Sequence, residues 1–211
     1  MNNKKRQAFS LIELSIVILI IGILVAGVTQ GSRLVGQMRL ATAKSLTQSS
    51  PVSSIRNLVT WYETTADKSP DDAVEEDGLV VNNWYDINPQ AITKNHATST
   101  VGPTYKASCI NGLPCLQFNG SSQILHSTQN LGTTTELTLF VVFYSNVLSC
   151  GGVCDIVITK GDWSTNDRSF IYSINNNSPN ALYYRSTNSG AANTYTLSGI
   201  TIKTNYVGHV G

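Results

Sequence analysis

One acidic residue, Glu13, lies inside a long apolar run near the start of the chain. Lys4, Lys5 and Arg6 precede the run, and residues 9–28 are otherwise apolar apart from two serines. A helix of roughly 20 such residues crosses a bilayer core. A carboxylate inside such a helix costs about 2.5–3.5 kcal/mol on insertion, so it is expected to serve a function. Because a buried carboxylate needs a partner, Glu13 is predicted to have one.

The apolar run differs from a cleaved secretory signal. No small-x-small cleavage site follows it, and the helical pattern continues outward. Since residues 9–48 contain no proline, they predict one helix of about 60 Å, twice the hydrocarbon thickness. Gly27-x-x-x-Gly31 favours close packing against other helices, although a long stalk that tolerates its glycines is the alternative. The outer half has an imperfect apolar stripe at helical spacing, formed by Val28, Gly31, Val35, Met38, Thr42 and Leu46.

Pro51 ends the helical pattern, so residues 49–57 are predicted to be a linker or kink. Charge changes sign across this segment. Between residues 9 and 56, four basic residues face one acid, a net charge of +3, whereas residues 57–211 have seven basic and twelve acidic residues, a net charge of −5. This distribution offers no basic face for nucleic acid.

The region after the linker, residues 58–211, predicts an all-β head on the helix, and hence an α+β chain. Asn/Gly turn clusters separate short β-prone runs. About 150 residues of this kind favour one sandwich over two small domains. The strongest runs are residues 138–144, 155–159, 169–174 and 181–184.

Four cysteines predict two local disulfides if the head is exported to an oxidising compartment. Cys109 and Cys115 flank a segment with an Asn-Gly turn signal, and Cys150 and Cys154 flank Gly-Gly-Val. A four-thiolate zinc site is the alternative, but the spacings differ from the usual zinc pairs.

The sequence predicts no catalytic residues, no metal site and no cofactor. The three histidines are scattered, and Gly-x-Ser-x-Gly and His-Glu-x-x-His are absent. The acidic cluster at residues 71–77 is interpreted as a solvated loop, because its spacing matches no calcium frame. Trp61 and Trp84 are expected in the core. The one candidate for a ligand-binding turn is at Trp163, where Asp162 and Asn166 would supply hydrogen bonds to a stacked sugar. The favoured alternative is a turn tryptophan packed on the edge of the sandwich.

The N-terminal segment resembles the prepilin signal of type IV pilins and type II secretion pseudopilins. In that family a short basic leader precedes a cut before Phe, and Glu is the fifth mature residue. The resemblance implies cleavage by prepilin peptidase between Ala8 and Phe9, with residues 1–8 as the leader, and N-methylation of Phe9. It also implies that Glu13 pairs with the Phe9 amine of a neighbouring subunit and so sets the register. The family usually has Gly where this chain has Ala8, which predicts a slower cut.

The head resembles the concanavalin A-like, laminin G-type jelly roll. Asn119 stands where that family often has Asp, so no metal or ligand role carries over to this turn. The resemblance implies a sandwich whose last strands are missing after Lys203, and we expect a truncated C-terminus. The resemblance rests on Leu58-Val-Thr-Trp-Tyr62, Trp84-Tyr-Asp86, Asn95-His-Ala97, Pro103-Thr-Tyr105, Ile110-Asn-Gly-Leu-Pro114, Leu116-Gln-Phe-Asn-Gly120 and Leu139-Phe-Val-Val-Phe143.

Together these patterns predict a non-enzymatic filament subunit. It would cross the bacterial inner membrane once, then join other pilin subunits in a periplasmic or extracellular filament with its head outside the cytoplasm. The alternative is a minor, tip-located adhesin whose head binds a glycan or another surface ligand. A glycanase would need paired carboxylates on one sheet face, and the strand runs have almost none.

Overall fold

The computed structural model describes residues 10–71, 76–128 and 138–144, together with the backbone of five further strands that are given below. The chain is α+β, with one long helix followed by short strands. It divides into two compact units, Met1–Thr128 and Gln129–Gly211.

The first unit begins with helix α1, Leu11–Gln48, which is 38 residues long. This confirms the long helix expected from the unbroken apolar pattern. At about 1.5 Å per residue the helix is about 57 Å long. An 18-residue window within it reaches a mean hydropathy of 2.9. By length and composition it could cross a membrane.

The segment that follows the helix is a short 3-10 helix, Pro51–Ser54. Proline suits the first helical position, where no N–H is needed, and the Ser50 hydroxyl accepts a hydrogen bond from the Val52 N–H at 3.3 Å. The Gln90 side-chain amide donates to the carbonyls of Ser53, at 2.7 Å, and Ile55, at 2.9 Å. The segment predicted to be a linker is therefore tied to the head by side-chain hydrogen bonds.

The rest of the first unit, residues 58–128, is called the lower head below. Its described residues form two small antiparallel sheets. One has the order β1-β2-β5, from Asn83–Trp84, Ala97–Thr98 and His126–Ser127, and the other pairs β3, Thr104–Lys106, with β4, Cys115–Gln117.

The core of the lower head is small and partly polar. Val81, Ala97 and Tyr105 are its buried hydrophobic residues among those described, and the polar residues Asp86 and Asn88 are buried as well. Gly102 is buried where two chain segments meet, and a Cβ there would lie 1.8 Å from the Val81 carbonyl oxygen. Only glycine fits this close approach.

The described residues of the second unit form six strands in two sheets. One sheet is an antiparallel meander in the order β10-β9-β8-β7, and the other pairs β11 with β6. The strands are β6 Leu139–Phe143, β7 Val153–Lys160, β8 Phe170–Asn175, β9 Ala181–Asn188, β10 Ala191–Leu197 and β11 Tyr206–Val210.

The four strongest strand runs in the sequence are thus confirmed as β6 to β9. Strands β10 and β11 were not predicted, and β11 occupies the tail that we expected to lack a strand. The jelly-roll arrangement, and a single domain over residues 58–211, stay predictions.

Candidate functional site

The first turn of α1 places the Glu13 carboxylate over the start of the helix. Ser10 is the N-cap, in extended conformation, and forms a capping box with Glu13. The Ser10 backbone N–H donates to Glu13 Oε2 at 2.9 Å. This satisfies one of the N–H groups that a helix start leaves without a partner, and the negative charge suits the helix dipole. Glu13 therefore has a capping role within its own chain that the sequence interpretation did not include.

Ala8 and Phe9, where the sequence predicts the cut, lie outside the described residues. The structure therefore describes Glu13 but not the amine with which it is predicted to pair.

The apolar part of α1 is uncovered. Every large apolar side chain between Leu11 and Val28 is 50–85% exposed, and no described residue of the helix is buried. A helix that is apolar on all sides belongs in a membrane or inside an assembly. A Cβ added at Gly22, Gly27, Gly31 or Gly36 would meet nothing within 4 Å, so the glycines of the helix are not explained by packing within the chain.

The outer part of α1 has two different faces. One face contacts the lower head, and its residues Leu40, Ala43, Lys44 and Thr47 are half-buried. On this face the Lys44 ammonium forms an ion pair with Asp67. The Thr47 and Thr65 hydroxyls lie 3.2 Å apart in a hydrogen bond.

The predicted apolar stripe lies on the other face and stays uncovered. Val28 is 72% exposed, Met38 62% and Leu46 66%. Within the first unit, the lower head therefore packs beside the stripe rather than on it.

A disulfide-closed loop borders this uncovered face. Cys109 and Cys115 are bonded, with their Cα atoms 5.7 Å apart, which confirms the predicted pair. Asn111 (φ 55°) and Gly112 (φ 74°) both have positive φ, and the Leu113 N–H donates to the Ile110 carbonyl at 3.0 Å. This is the geometry for which Asn-Gly is favoured. Because two cysteines are joined in this bond, a four-thiolate zinc site is excluded.

The loop and the helix enclose an open groove of about 470 Å³. Its helical wall includes Val35, Met38, Arg39 and Leu46, and Leu113 comes from the loop. The groove is mainly apolar, with one cationic side chain, Arg39.

A polar network organises the loops of the lower head around Asp86, a feature that the sequence interpretation missed. Asp86 is 3% exposed. Its Oδ1 accepts the N–H groups of Trp61 and Asn88, both at 2.9 Å, and its Oδ2 accepts the N–H of Asn95 at 3.1 Å. The Asp86 N–H in turn donates to His96 Nδ1 at 3.1 Å. The spacing Asp86-x-Asn88 could have signalled a side-chain-to-backbone turn.

Other predicted residues have structural roles. Trp84 is half-buried rather than fully buried, and its indole N–H donates to the Glu63 carbonyl and the Ser69 hydroxyl, both at 3.2 Å. Trp61 is also half-buried. Asn119 closes its own turn, because its Oδ1 accepts the N–H groups of Ser121, Ser122 and Gln123 at 3.0–3.2 Å.

Several predicted residues fall where the structure gives no description. Asp162, Trp163 and Asn166 lie outside the described residues, and so does Cys150, the predicted partner of Cys154. Asp72 and Glu75 of the acidic cluster are likewise outside them. Among the residues that the structure does describe, no group of three or more His, Cys, Asp or Glu could hold a metal ion.

Residues 3–29 match the prokaryotic N-terminal methylation motif. The match covers the three basic residues of the leader, the predicted cut and Glu13, and ends at Thr29 within α1. No curated protein and no solved structure matches the chain. The motif and the long apolar helix indicate a subunit of the type IV pilin or pseudopilin kind, a structural class of protein that prepilin peptidase processes. They fit a single-pass inner-membrane anchor with the remaining chain directed outward.

Proposed function

We propose that this chain is a structural subunit of a type IV pilus or pseudopilus-like filament, assembled through α1 and displaying a β-rich head. The observation that supports the proposal is the uncovered apolar surface of α1. This surface lies in the first part of the helix, within the segment that matches the methylation motif. In a membrane, lipid covers this surface. In a filament, the helices of neighbouring subunits cover it.

Processing is the first step of the proposed assembly. Cleavage between Ala8 and Phe9 removes the basic leader and creates a new amino terminus, which N-methylation leaves positively charged. The amine then lies four residues before Glu13 in the chain.

Glu13 then sets the register between subunits. One carboxylate oxygen is engaged by the Ser10 N–H, but a carboxylate has about four acceptor sites, so the same group still accepts the Phe9 amine of a neighbour. The pair forms only at the correct axial offset, and burial among apolar helices makes a mismatch costly.

The disulfide in the head region fits a location outside the cytoplasm. The Cys109–Cys115 disulfide is of the kind that persists in oxidising compartments. The ion pair and hydrogen bond between α1 and the lower head hold that part of the head beside the helix. The head would therefore be displayed along the filament surface while the apolar stripe faces other subunits.

Mass spectrometry after co-expression with a prepilin peptidase tests the processing step. We expect loss of residues 1–8 and a methylated Phe9, and Ala8→Gly should speed the cut. An intact Met1 terminus in the presence of active peptidase, or cleavage after Val28, would contradict the proposal.

Substitution of Glu13 tests the assembly step. Glu13→Gln retains an acceptor for the Ser10 N–H, because Gln also serves in capping boxes, but it removes the charge. We expect Glu13→Gln and Glu13→Ala both to insert into the membrane, and both to lose against wild-type chain in competition for filament incorporation. If Glu13→Gln competes equally and only Glu13→Ala fails, the role of Glu13 is helix capping and the register argument is wrong.

A further inference from the structure

The groove between α1 and the disulfide loop, called the docking groove below, has two independent walls within one compact unit. Val35, Met38, Arg39, Thr42 and Leu46 form the helical wall, and Leu113 projects from the loop. The Asn-Gly turn and the disulfide fix the loop wall. The groove is therefore lined by the helix and the loop together.

Arg39 gives the docking groove a single charge. Its Nη1 lies against the loop, 3.3 Å from where a Cβ on Gly112 would be. The ion pair found in the described part of the chain joins Lys44 to Asp67 and does not include Arg39. A ligand that complements this groove would be apolar, elongated and equipped with one carboxylate.

The first turns of α1 have that chemistry. Residues 11–28 are exposed and apolar, and Glu13 is their one acidic residue. Since Ser10 occupies only Oε2, the carboxylate retains acceptor sites for a guanidinium as well as for an amine. Arg forms strong, directional pairs with carboxylates, especially away from water.

We propose that Arg39 in the docking groove of one copy pairs with Glu13 of a second copy, whose first helical turns lie in the groove. This inference rests on the proposed filament function. It specifies the contact that the outer helix and the disulfide loop make with a second copy. Glu13 and Arg39 are 26 residues apart, so two parallel helices would be offset by about 39 Å. In that register Ile16 of the second copy lies beside Thr42 of the first.

The offset predicts when the contact forms. Copies anchored in one bilayer lie at the same depth, and about 39 Å exceeds the roughly 30 Å hydrocarbon core. The pair therefore forms only after one copy has been lifted relative to the other. It belongs to the filament and not to the membrane pool.

Disulfide cross-linking tests the register without altering Glu13 or Arg39. The double variant Ile16→Cys with Thr42→Cys places two thiols side by side in the proposed register. The matched control, Ile16→Cys with Gln37→Cys, moves the second thiol about 7.5 Å down and about 140° around the helix. Each is oxidised in isolated membranes and in surface filaments of the source cells, beside the wild-type chain, and resolved on non-reducing gels.

We expect the Ile16/Thr42 variant to give a ladder of cross-linked copies in filaments but not in membranes, and the Gln37 control to give little. Adding Arg39→Gln to the double variant should lower the ladder about tenfold, the factor expected for one charge-assisted pair, whereas Arg33→Gln should leave it unchanged.

Three results would overturn the inference. They are equal ladders from both doubles, cross-links to a different protein, and no ladder in filaments that contain the variant. In each case the chain is still processed and assembled, so the proposed function stands. Failure of the wild-type chain to be processed or to enter filaments would instead defeat the proposed function.

Discussion

Replacing Asp86 by Asn should destabilise the lower head by about 3 kcal/mol. Asn retains an oxygen for the Trp61 and Asn88 N–H groups, but each bond loses its charge, at about 0.5–1 kcal/mol apiece. The amide NH₂ replaces Oδ2 and faces the Asn95 N–H, so a buried donor loses its acceptor, which costs about 1–3 kcal/mol. Asp86 is 3% exposed, so water cannot replace the lost bonds.

Thermal unfolding of the full chain in detergent, followed by near-ultraviolet circular dichroism, measures this effect. The signal of Trp61 and Trp84 reports on the lower head, whereas far-ultraviolet signal is dominated by α1. For a folded region of 60–100 residues, each kcal/mol lowers the midpoint by about 4–8 °C, so we expect a fall of about 12–24 °C.

The matched control is Asp67→Asn. It removes the same charge, but from a side chain that is 62% exposed and paired with Lys44 at the surface. Such pairs contribute about 0–1 kcal/mol. The reasoning is refuted if the free energies of unfolding of the two variants differ by less than about 1 kcal/mol. The buried N–H bonds would then contribute no more to stability than a surface pair.

Further predictions concern the close approach, the disulfide and the helix glycines. Gly102→Ala should destabilise the lower head by about 3 kcal/mol or more, because its Cβ would overlap the Val81 carbonyl. An unchanged melting temperature would rule out that close approach. The double variant Cys109→Ser with Cys115→Ser should lower stability in urea by about 2 kcal/mol with the head still folded, and a midpoint equal to wild type would contradict this. Gly27→Ala should stabilise the isolated helix by about 1 kcal/mol yet reduce incorporation into filaments in competition with wild type. Equal incorporation would mean that no second helix packs closely at Gly27.

The features that the sequence predicted are those set by neighbours along the chain. Helix α1 ends at Gln48 as expected, because three- and four-residue periodicity continues until Ser49-Ser50-Pro51 interrupts it. Strands β6 to β9 are rich in Val, Ile, Phe and Tyr, which favour extended backbone. The Cys109–Cys115 bond was predicted because its cysteines flank an Asn-Gly turn.

The features that the sequence did not reveal depend on contacts between distant segments. Strand β10 reads Ala-Ala-Asn-Thr-Tyr-Thr-Leu, which has too few apolar residues to stand out without its partner strand β9. The Asp86 network joins side chains to loop N–H groups 2, 9 and 25 residues away, and no periodic pattern encodes such bonds. The apolar stripe of the outer helix was predicted, but the face that contacts the lower head depends on distant partners such as Asp67 and Thr65.

The side-by-side attachment of α1 to the lower head has a mechanical consequence. A pull on the base of α1 would reach the lower head as shear across the last two helical turns, through Lys44, Thr47 and their partners Asp67 and Thr65. The hydrogen bonds from Gln90 to the chain after Pro51 act in parallel with these contacts. Bonds loaded together in shear share the force, whereas a slack tether would deliver it to one point. The lower head would thus move together with α1 under load.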